Sequence, residues 1–291
     1  DGHNISALKS TLRHALSSDV PVLVHVVTKK GAGYGPAESD PSRFHGVGPY
    51  DIATGKSKKS SSSALTYTQA FTYAFEHEAE KDKSICAISA AMVDGTGLRS
   101  FADKYPDRVF DVGIAEGHAV GMASGLALGG CKPVVALYST FLQRAIDQVI
   151  INVSLCNLDV VFAIDRAGLV GDDGPTHHGM FDMALLRTIP NMKVLAPSNE
   201  AELIHALHTA LMLPGPVALR YPRGSAQGVE LPQDPLYMKP GCARVVREGC
   251  DAAILAFGRM VSYALKAASQ LQEDGISTRV VDMRWVKPLD I

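Results

Sequence analysis

Apolar positions along the chain change their period several times, and each change marks an element. Over residues 4–17, Ile5, Leu8, Leu12, Ala15 and Leu16 recur at helical spacing. Residues 21–27 (PVLVHVV) are a short valine-rich run that predicts a buried strand. From Thr28 to Tyr50 the chain turns to Gly, Pro, Lys and Ser without a period, which predicts a long loop of the functional or mobile kind. The stretch 57–63 (SKKSSSS) is polar and low in complexity and reads as a linker.

A second region begins near Ala64. The pattern predicts a helix over 65–81, a strand over 84–89, a short helix near 98–104 and a strand over 109–112. A helix starting near Glu116, a strand over 132–138, a long helix over 140–156 and a strand over 159–165 follow. Beyond a Gly/Asp/His loop come a short helix, a strand over 193–196, a helix over 199–213 and a strand over 216–220. Apolar strands alternating with helices predict an α/β fold with a central parallel sheet flanked by helices. Three prolines within 227–240 predict a second linker, after which strand 252–257, helix 260–272 and strand 277–281 open a further unit. The expected organisation is the tail of one α/β domain (1–56), a linker (57–63), a complete α/β domain (64–226), a linker (227–240) and the start of a third domain (241–291). The chain opens without Met at Asp1-Gly2-His3 and stops at Leu289-Asp290-Ile291, and both ends are read as truncations.

Composition changes this picture little. Hydrophobic residues make up 46% and charged residues 20%, an ordinary globular balance. A net charge of −2 gives no basic field for nucleic acid or an anionic membrane, so anion binding must come from local arginines. The five cysteines are scattered with no CxxC, which argues against a disulfide framework and a zinc site. The apolar stretch 119–130 is too short and glycine-rich to span a bilayer.

Sites in parallel α/β sheets lie beyond the carboxyl ends of the strands. Strand 109–112 leads to Glu116 at a helix start, where a carboxylate is either a helix-end charge or a functional acid. Strand 132–138 ends in Tyr138 and Phe141, aromatic faces for a planar ring or for the core, followed by Arg144. Strand 159–165 ends at Arg166, and its loop carries Asp173, His177 and His178 among glycines, a metal site or a polar substrate site. Strand 216–220 ends near Arg223. Arg144, Arg166 and Arg223 suggest a phosphate pocket, because the guanidinium fork meets phosphate through two bonds; a surface ion-pair network is the alternative. No Walker loop, strand-linked GxGxxG or GxSxG elbow occurs, so P-loop, nicotinamide and serine-hydrolase chemistries lose support.

Taken in order, five segments resemble the 1-deoxy-D-xylulose-5-phosphate synthase family of thiamine-diphosphate enzymes. They are TKKGAGYGPAE (28–38) with FHGV (44–47), DVGIAE (111–116), YSTFLQRA (138–145), DRAG (165–168) running to DGPTHHG (173–179), and RYPRG (220–224). The resemblance covers essentially the whole chain. It implies a thiamin-diphosphate-binding fold and transfer of a two-carbon unit from decarboxylated pyruvate to D-glyceraldehyde 3-phosphate. It implies that Glu116 hydrogen-bonds the cofactor's aminopyrimidine and favours the imino tautomer, that Phe141 stacks on that ring and that Tyr34 lines the cofactor pocket. Tyr138, Arg144, Arg166, Asp173, His177 and Arg223 would hold the aldehyde phosphate, with His45 and His177 as groups near the reacting carbons. Thiamine diphosphate and Mg²⁺ are the implied cofactors. No metal ligand falls within this chain, since the Gly-Asp-Gly and Asn of the family's metal motif are absent, and the chain alone is expected to bind cofactor weakly and not to turn over. A homodimer, no nucleic-acid or membrane partner, and a bacterial cytoplasmic location, with plastid stroma as the alternative, complete the implied picture. Gly117 and Asp94 depart from the family pattern. Transketolase, a 2-oxoacid dehydrogenase beta subunit and a non-catalytic dimerising fragment remain as other readings.

Overall fold

Period-two burial organises the main sheet. Along β1 (Ile85–Ser89), β3 (Lys132–Tyr138) and β4 (Val161–Asp165), Ile85, Ala87, Val134, Ala136, Val161 and Ala163 enter one apolar cluster. Their neighbours Ile88, Val135, Leu137, Phe162 and Ile164 enter another. Both faces are therefore buried, which is why these strands read as continuous apolar runs. The computed structural model describes residues 1–58 and 65–291, and its chain divides into two units, Asp1–Ser62 and Ser63–Ile291. Most of the linker expected at 57–63 lies outside the described residues.

Within the second unit the sheet adds β2 (Val109–Asp111), β5 (Lys193–Leu195) and β6 (Val217–Arg220), with neighbours in the order β5-β6-β4-β3-β1-β2, all parallel. One cluster packs under α3 (Tyr67–Lys81) and α9 (Glu200–Met212), the other under α5 (Glu116–Leu128). The short helices between them are α4 (Arg99–Lys104), α6 (Ser139–Leu142), α7 (Ile146–Gln148) and α8 (Asp182–Thr188). Helix α3 begins at a reciprocal cap, in which the Thr66 side chain accepts from the Gln69 backbone and the Gln69 side chain from the Thr66 backbone. From β1 the chain moves outward to β2 and then back across to β3, so the order reverses between β1 and β3. A crevice opens at such a point beyond the carboxyl ends of the two strands.

Two elements differ from the sequence expectation here. The single helix expected over 140–156 is α6, a 3-10 turn over Gln143–Ala145, α7 and a π-helical stretch over Val149–Ser154. Ala145, with φ −120° and ψ 8°, leaves the helical region and breaks the hydrogen-bond ladder. The sheet is also not purely parallel. β10 (Trp285–Lys287) joins its edge antiparallel to β5, giving seven strands in the order β10-β5-β6-β4-β3-β1-β2. The fully buried Trp285 anchors β10 in the cluster under α3 and α9.

The remaining strands are β7 (Arg244–Arg247), β8 (Ala252–Ala256) and β9 (Thr278–Asp282), ordered β7-β9-β8, with α10 (Met260–Glu273) packed on them through Val261, Ala264 and Ala268. Strand β7 carries two arginines around two valines and was not anticipated. Glu202 of α9, nearly fully buried, ties this region to the main sheet. It accepts two bonds from Arg284 at 2.8 Å and one contact from Arg244 at 3.0 Å.

The first unit holds α1 (Ile5–Leu16), capped by Asn4, and α2 (Gly35–Ser39), which carries Pro36 in its first turn. Residues 21–27 do not form the expected strand. Val22, Leu23, Val26 and Val27 are exposed. No strand of the described residues runs beside them, so their N–H groups find no ladder; Gly2 N donating to Val27 O at 2.8 Å is a lone tie. The expected loop from Thr28 to Tyr50 contains α2 and an aromatic trio. Tyr34 meets Phe44 edge-on at 5.5 Å and lies 6.0 Å from Tyr50.

Candidate active site

At the strand-order reversal, Glu116 begins α5 with its side chain buried. Gly113, at φ 71°, turns the chain out of β2, and Asp111 holds this turn by accepting from Gly113 N at 3.0 Å and from Ala91 N at 2.7 Å. Arg144 donates to Glu116 Oε1 at 2.6 Å, and its guanidinium lies 4.9 Å from the centre of the Phe141 ring. Phe141 stacks on Tyr138 at 5.8 Å and meets His177 edge-on at 5.4 Å. Glu116, Phe141, Tyr138, Arg144 and His177 therefore form one contiguous cluster.

A second cluster adjoins it. The guanidinium of Arg166 lies 3.9 Å above the Tyr138 ring, and Arg166 forms an ion pair with Asp173. Arg223 pairs with the other oxygen of Asp173 at 2.5 Å. Two of the three arginines expected to meet one anion thus meet at Asp173, whereas Arg144 is turned to Glu116. The loop that carries Asp173 is drawn onto the strand ends by paired backbone bonds between Gly168 and Gly179, both 2.8 Å, and by Val170 N donating to His178 Nδ1 at 3.0 Å. His178 is a loop brace; His177 remains beside Phe141 with its Nδ1 2.9 Å from Thr176 Oγ1. Among the described residues no group of three or more His, Cys, Asp or Glu side chains is arranged to hold a metal ion.

Tyr34 and His45 belong to the first unit. Tyr34 donates its hydroxyl to Ile52 O at 2.8 Å, and His45 Nδ1 lies 3.0 Å from Lys30 Nζ.

Several residues were not singled out as site residues from sequence. Gly95 sits against Tyr138 so closely that a Cβ there would lie 1.8 Å from the phenol oxygen. Asp165 is buried under Arg166, and Ser139 has a buried hydroxyl without a hydrogen-bond partner among the described residues. Asp165 and Ser139, both at strand ends inside motifs, carried a signal that could have found them, and Gly95 did not. Burial raises the Tyr138 phenol above its usual pKa and pushes Asp165 up to about 6, although hydrogen bonds from Thr68 and Arg166 and the nearby arginines oppose the latter shift. Of the two departures from the family pattern, Asp94 pairs with Arg99 at 2.7 Å. A Cβ at Gly117 would meet only Gln148 Cγ at 3.6 Å, an ordinary contact.

A seven-stranded sheet with a carboxylate at a helix start and an aromatic beside it defines a class. The chain belongs to the transketolase family: the transketolase pyrimidine binding domain matches residues 63–228 and the transketolase C-terminal domain matches 241–291. Among particular relatives, it is 54% identical over 290 residues to 1-deoxy-D-xylulose-5-phosphate synthase of Heliobacterium modesticaldum, and 53% identical over 290 residues to that of Pelotomaculum thermopropionicum. Both alignments cover 100% of this chain and 45% of the relative, so the chain spans about half the length of the curated relatives it matches. Among solved structures, a split-gene transketolase described as an inactive β4 tetramer superposes with a TM-score of 0.69 at 32% identity, covering 78% of this chain and 74% of that one. Transketolase from Campylobacter jejuni superposes with a TM-score of 0.69 at 21% identity, covering 77% of this chain and 36% of that one, a likeness of fold.

Proposed function

We propose that this chain is the pyrimidine-binding part of a 1-deoxy-D-xylulose-5-phosphate synthase, a transferase that joins two carbons of pyruvate to D-glyceraldehyde 3-phosphate with release of carbon dioxide. The observation that carries this reading is the contact made by Arg144. Its guanidinium is a planar N–H donor that bonds to the buried Glu116 carboxylate and lies over Phe141. The pair thus accepts a flat donor of the kind an aminopyrimidine presents, and the donor set fits thiamine diphosphate. When bound, that cofactor supplies the group that adds to the pyruvate carbonyl. Glu116 would hold a proton at the pyrimidine nitrogen, and Phe141 would fix the ring plane. Arg166 and Arg223 would grip the phosphate of the aldehyde, displacing their pairing with Asp173, which with His177 and Tyr138 would face its hydroxyl and carbonyl. Arg144 would turn from Glu116 towards the phosphate. In the whole protein Tyr34 would line the cofactor pocket and His45 would stand near the reacting carbons. Mg²⁺ and the diphosphate would be held by parts of the whole protein outside these 291 residues, and the working form would be a homodimer. The 291 residues alone would be inactive.

The test is product formation by the whole protein from pyruvate and D-glyceraldehyde 3-phosphate, with thiamine diphosphate and Mg²⁺, beside Glu116→Ala. Loss of about 100-fold or more in turnover is expected for the variant. Formation of a transketolase product from sugar phosphates, with none from pyruvate, would move the assignment to transketolase, the second reading.

A further inference from the structure

Asp165 is fully buried at the carboxyl end of β4, opposite Tyr138 of β3, and the reading above gives it no role. Both of its oxygens are engaged. Oδ1 accepts from the backbone N–H of Arg166 at 2.6 Å, and Oδ2 accepts from the Thr68 hydroxyl on α3 at 2.9 Å.

The bond to Arg166 matters because of the backbone there. Arg166 has φ 61°, the left-handed region that a residue with a Cβ seldom enters. At this residue the chain leaves the strand and turns its guanidinium over the Tyr138 ring and towards Asp173. From the other side, Ala167 N donates to Tyr221 O at 3.0 Å and fixes the turn. An extended Arg166 would send the side chain elsewhere. The carboxylate of Asp165 compensates the left-handed turn, and Thr68 keeps the carboxylate from rotating away.

We infer that Asp165 is a positioning residue which, held by Thr68, sets the left-handed turn at Arg166 and thereby aims its guanidinium at the phosphate of the acceptor. This rests on the proposal that Arg166 binds that phosphate. The simpler role for Asp165 is to fasten α3 to the sheet, and that role would not act through Arg166.

The experiment separates the two. Binding of inorganic phosphate to the whole protein is measured by calorimetry or phosphorus NMR for Arg166→Lys, Asp165→Ala, Asp165→Asn and Thr68→Val, and for each of the last three combined with Arg166→Lys. A charge-assisted bond of this kind is worth about 10-fold or more in affinity, so Arg166→Lys and Asp165→Ala are each expected to weaken phosphate by about 10-fold. Asp165→Asn keeps an oxygen for the Arg166 N–H and should return the affinity to within about 3-fold of the parent. Thr68→Val, which preserves shape and carries the test if Asp165→Ala does not fold, should weaken binding by about 3-fold. In the Arg166→Lys background none of the three should weaken phosphate further. Equal losses in both backgrounds, or no loss from Asp165→Ala and Thr68→Val while Arg166→Lys weakens binding, overturn the positioning role alone. Unchanged phosphate binding in Arg166→Lys overturns the phosphate reading and this inference with it.

Discussion

Arg144 and Glu116 form an ion pair of unequal partners: at 2.6 Å, the arginine side chain is 54% exposed and the carboxylate only 4%. The carboxylate has given up water, and the arginine returns a charged hydrogen bond while keeping its own hydration. Removing the arginine therefore costs more than an ordinary surface pair, though exposure of the guanidinium limits the loss. Arg144→Ala is expected to lower the unfolding free energy by about 1 kcal/mol, read from urea denaturation of the 291-residue chain. An unchanged midpoint would show that solvent replaces the arginine fully.

Asp165 gives a pH dependence whose sign is fixed by burial. Its folded-state pKa, about 6, stands above the ordinary value of 3.8, so the folded protein binds the proton more tightly than the unfolded chain. The stabilisation from this group is complete below about pH 4 and is lost as pH rises through about 6. Asp165→Asn, which cannot ionise, should gain on the parent across that window, by an amount on the order of 2–3 kcal/mol between pH 4 and pH 7. Urea midpoints of both proteins at several pH values check this, and a difference independent of pH would contradict it.

Gly95 and Tyr138 cannot both keep their places if a methyl group is added. In Gly95→Ala the Cβ would lie 1.8 Å from the Tyr138 oxygen and 2.9 Å from its Cζ, and the ring is held by Phe141 and Arg166. A loss of about 1–3 kcal/mol is expected. Tyr138→Phe removes the nearer atom and should recover part of that loss in the double variant, a coupling that thermal or urea unfolding of the four proteins measures.

Glu202 is the acceptor shared by Arg284 and Arg244. Glu202→Ala removes the carboxylate these two cations share, leaving Arg244 the longer contact with Asp282 at 3.8 Å, and is expected to cost about 3 kcal/mol. Limited proteolysis should then cut between 227 and 243 faster than in the parent. Unchanged digestion would show that the apolar contacts of Trp285 suffice to hold the region.

The strands of the main sheet were legible because both faces are apolar and each run ends in a turn, so period and length agree. Strand β10 was not, since three residues pairing antiparallel with β5 carry no period of their own. The run at 21–27 misled for the opposite reason: it has strand composition, but pairing depends on neighbours that composition does not encode. At the candidate site, Glu116, Phe141, Arg166, Asp173 and Arg223 lie in motifs at strand ends, which is what makes them candidates from sequence. Their pairing is not legible there. That Asp173 joins Arg166 to Arg223, while Arg144 turns to Glu116, depends on side-chain directions fixed by the 3-10 turn after α6 and the left-handed turn at Arg166. Gly95 gave no signal in the sequence, because its contact with Tyr138 joins chain positions far apart.

The place of β10 bears on where this chain can be divided. Two family domains meet between 228 and 241, yet the strand that closes the edge of the first comes from the second. A protein ending at 228 would leave Lys193–Leu195 as an open edge of unpaired N–H and C=O groups and would empty the space of a wholly buried tryptophan. Such a piece would be prone to pair with its own copies through that edge, and its unfolding would not report the stability of the same residues in the longer chain. The sheet and its buried tryptophan run past the boundary that sequence families draw.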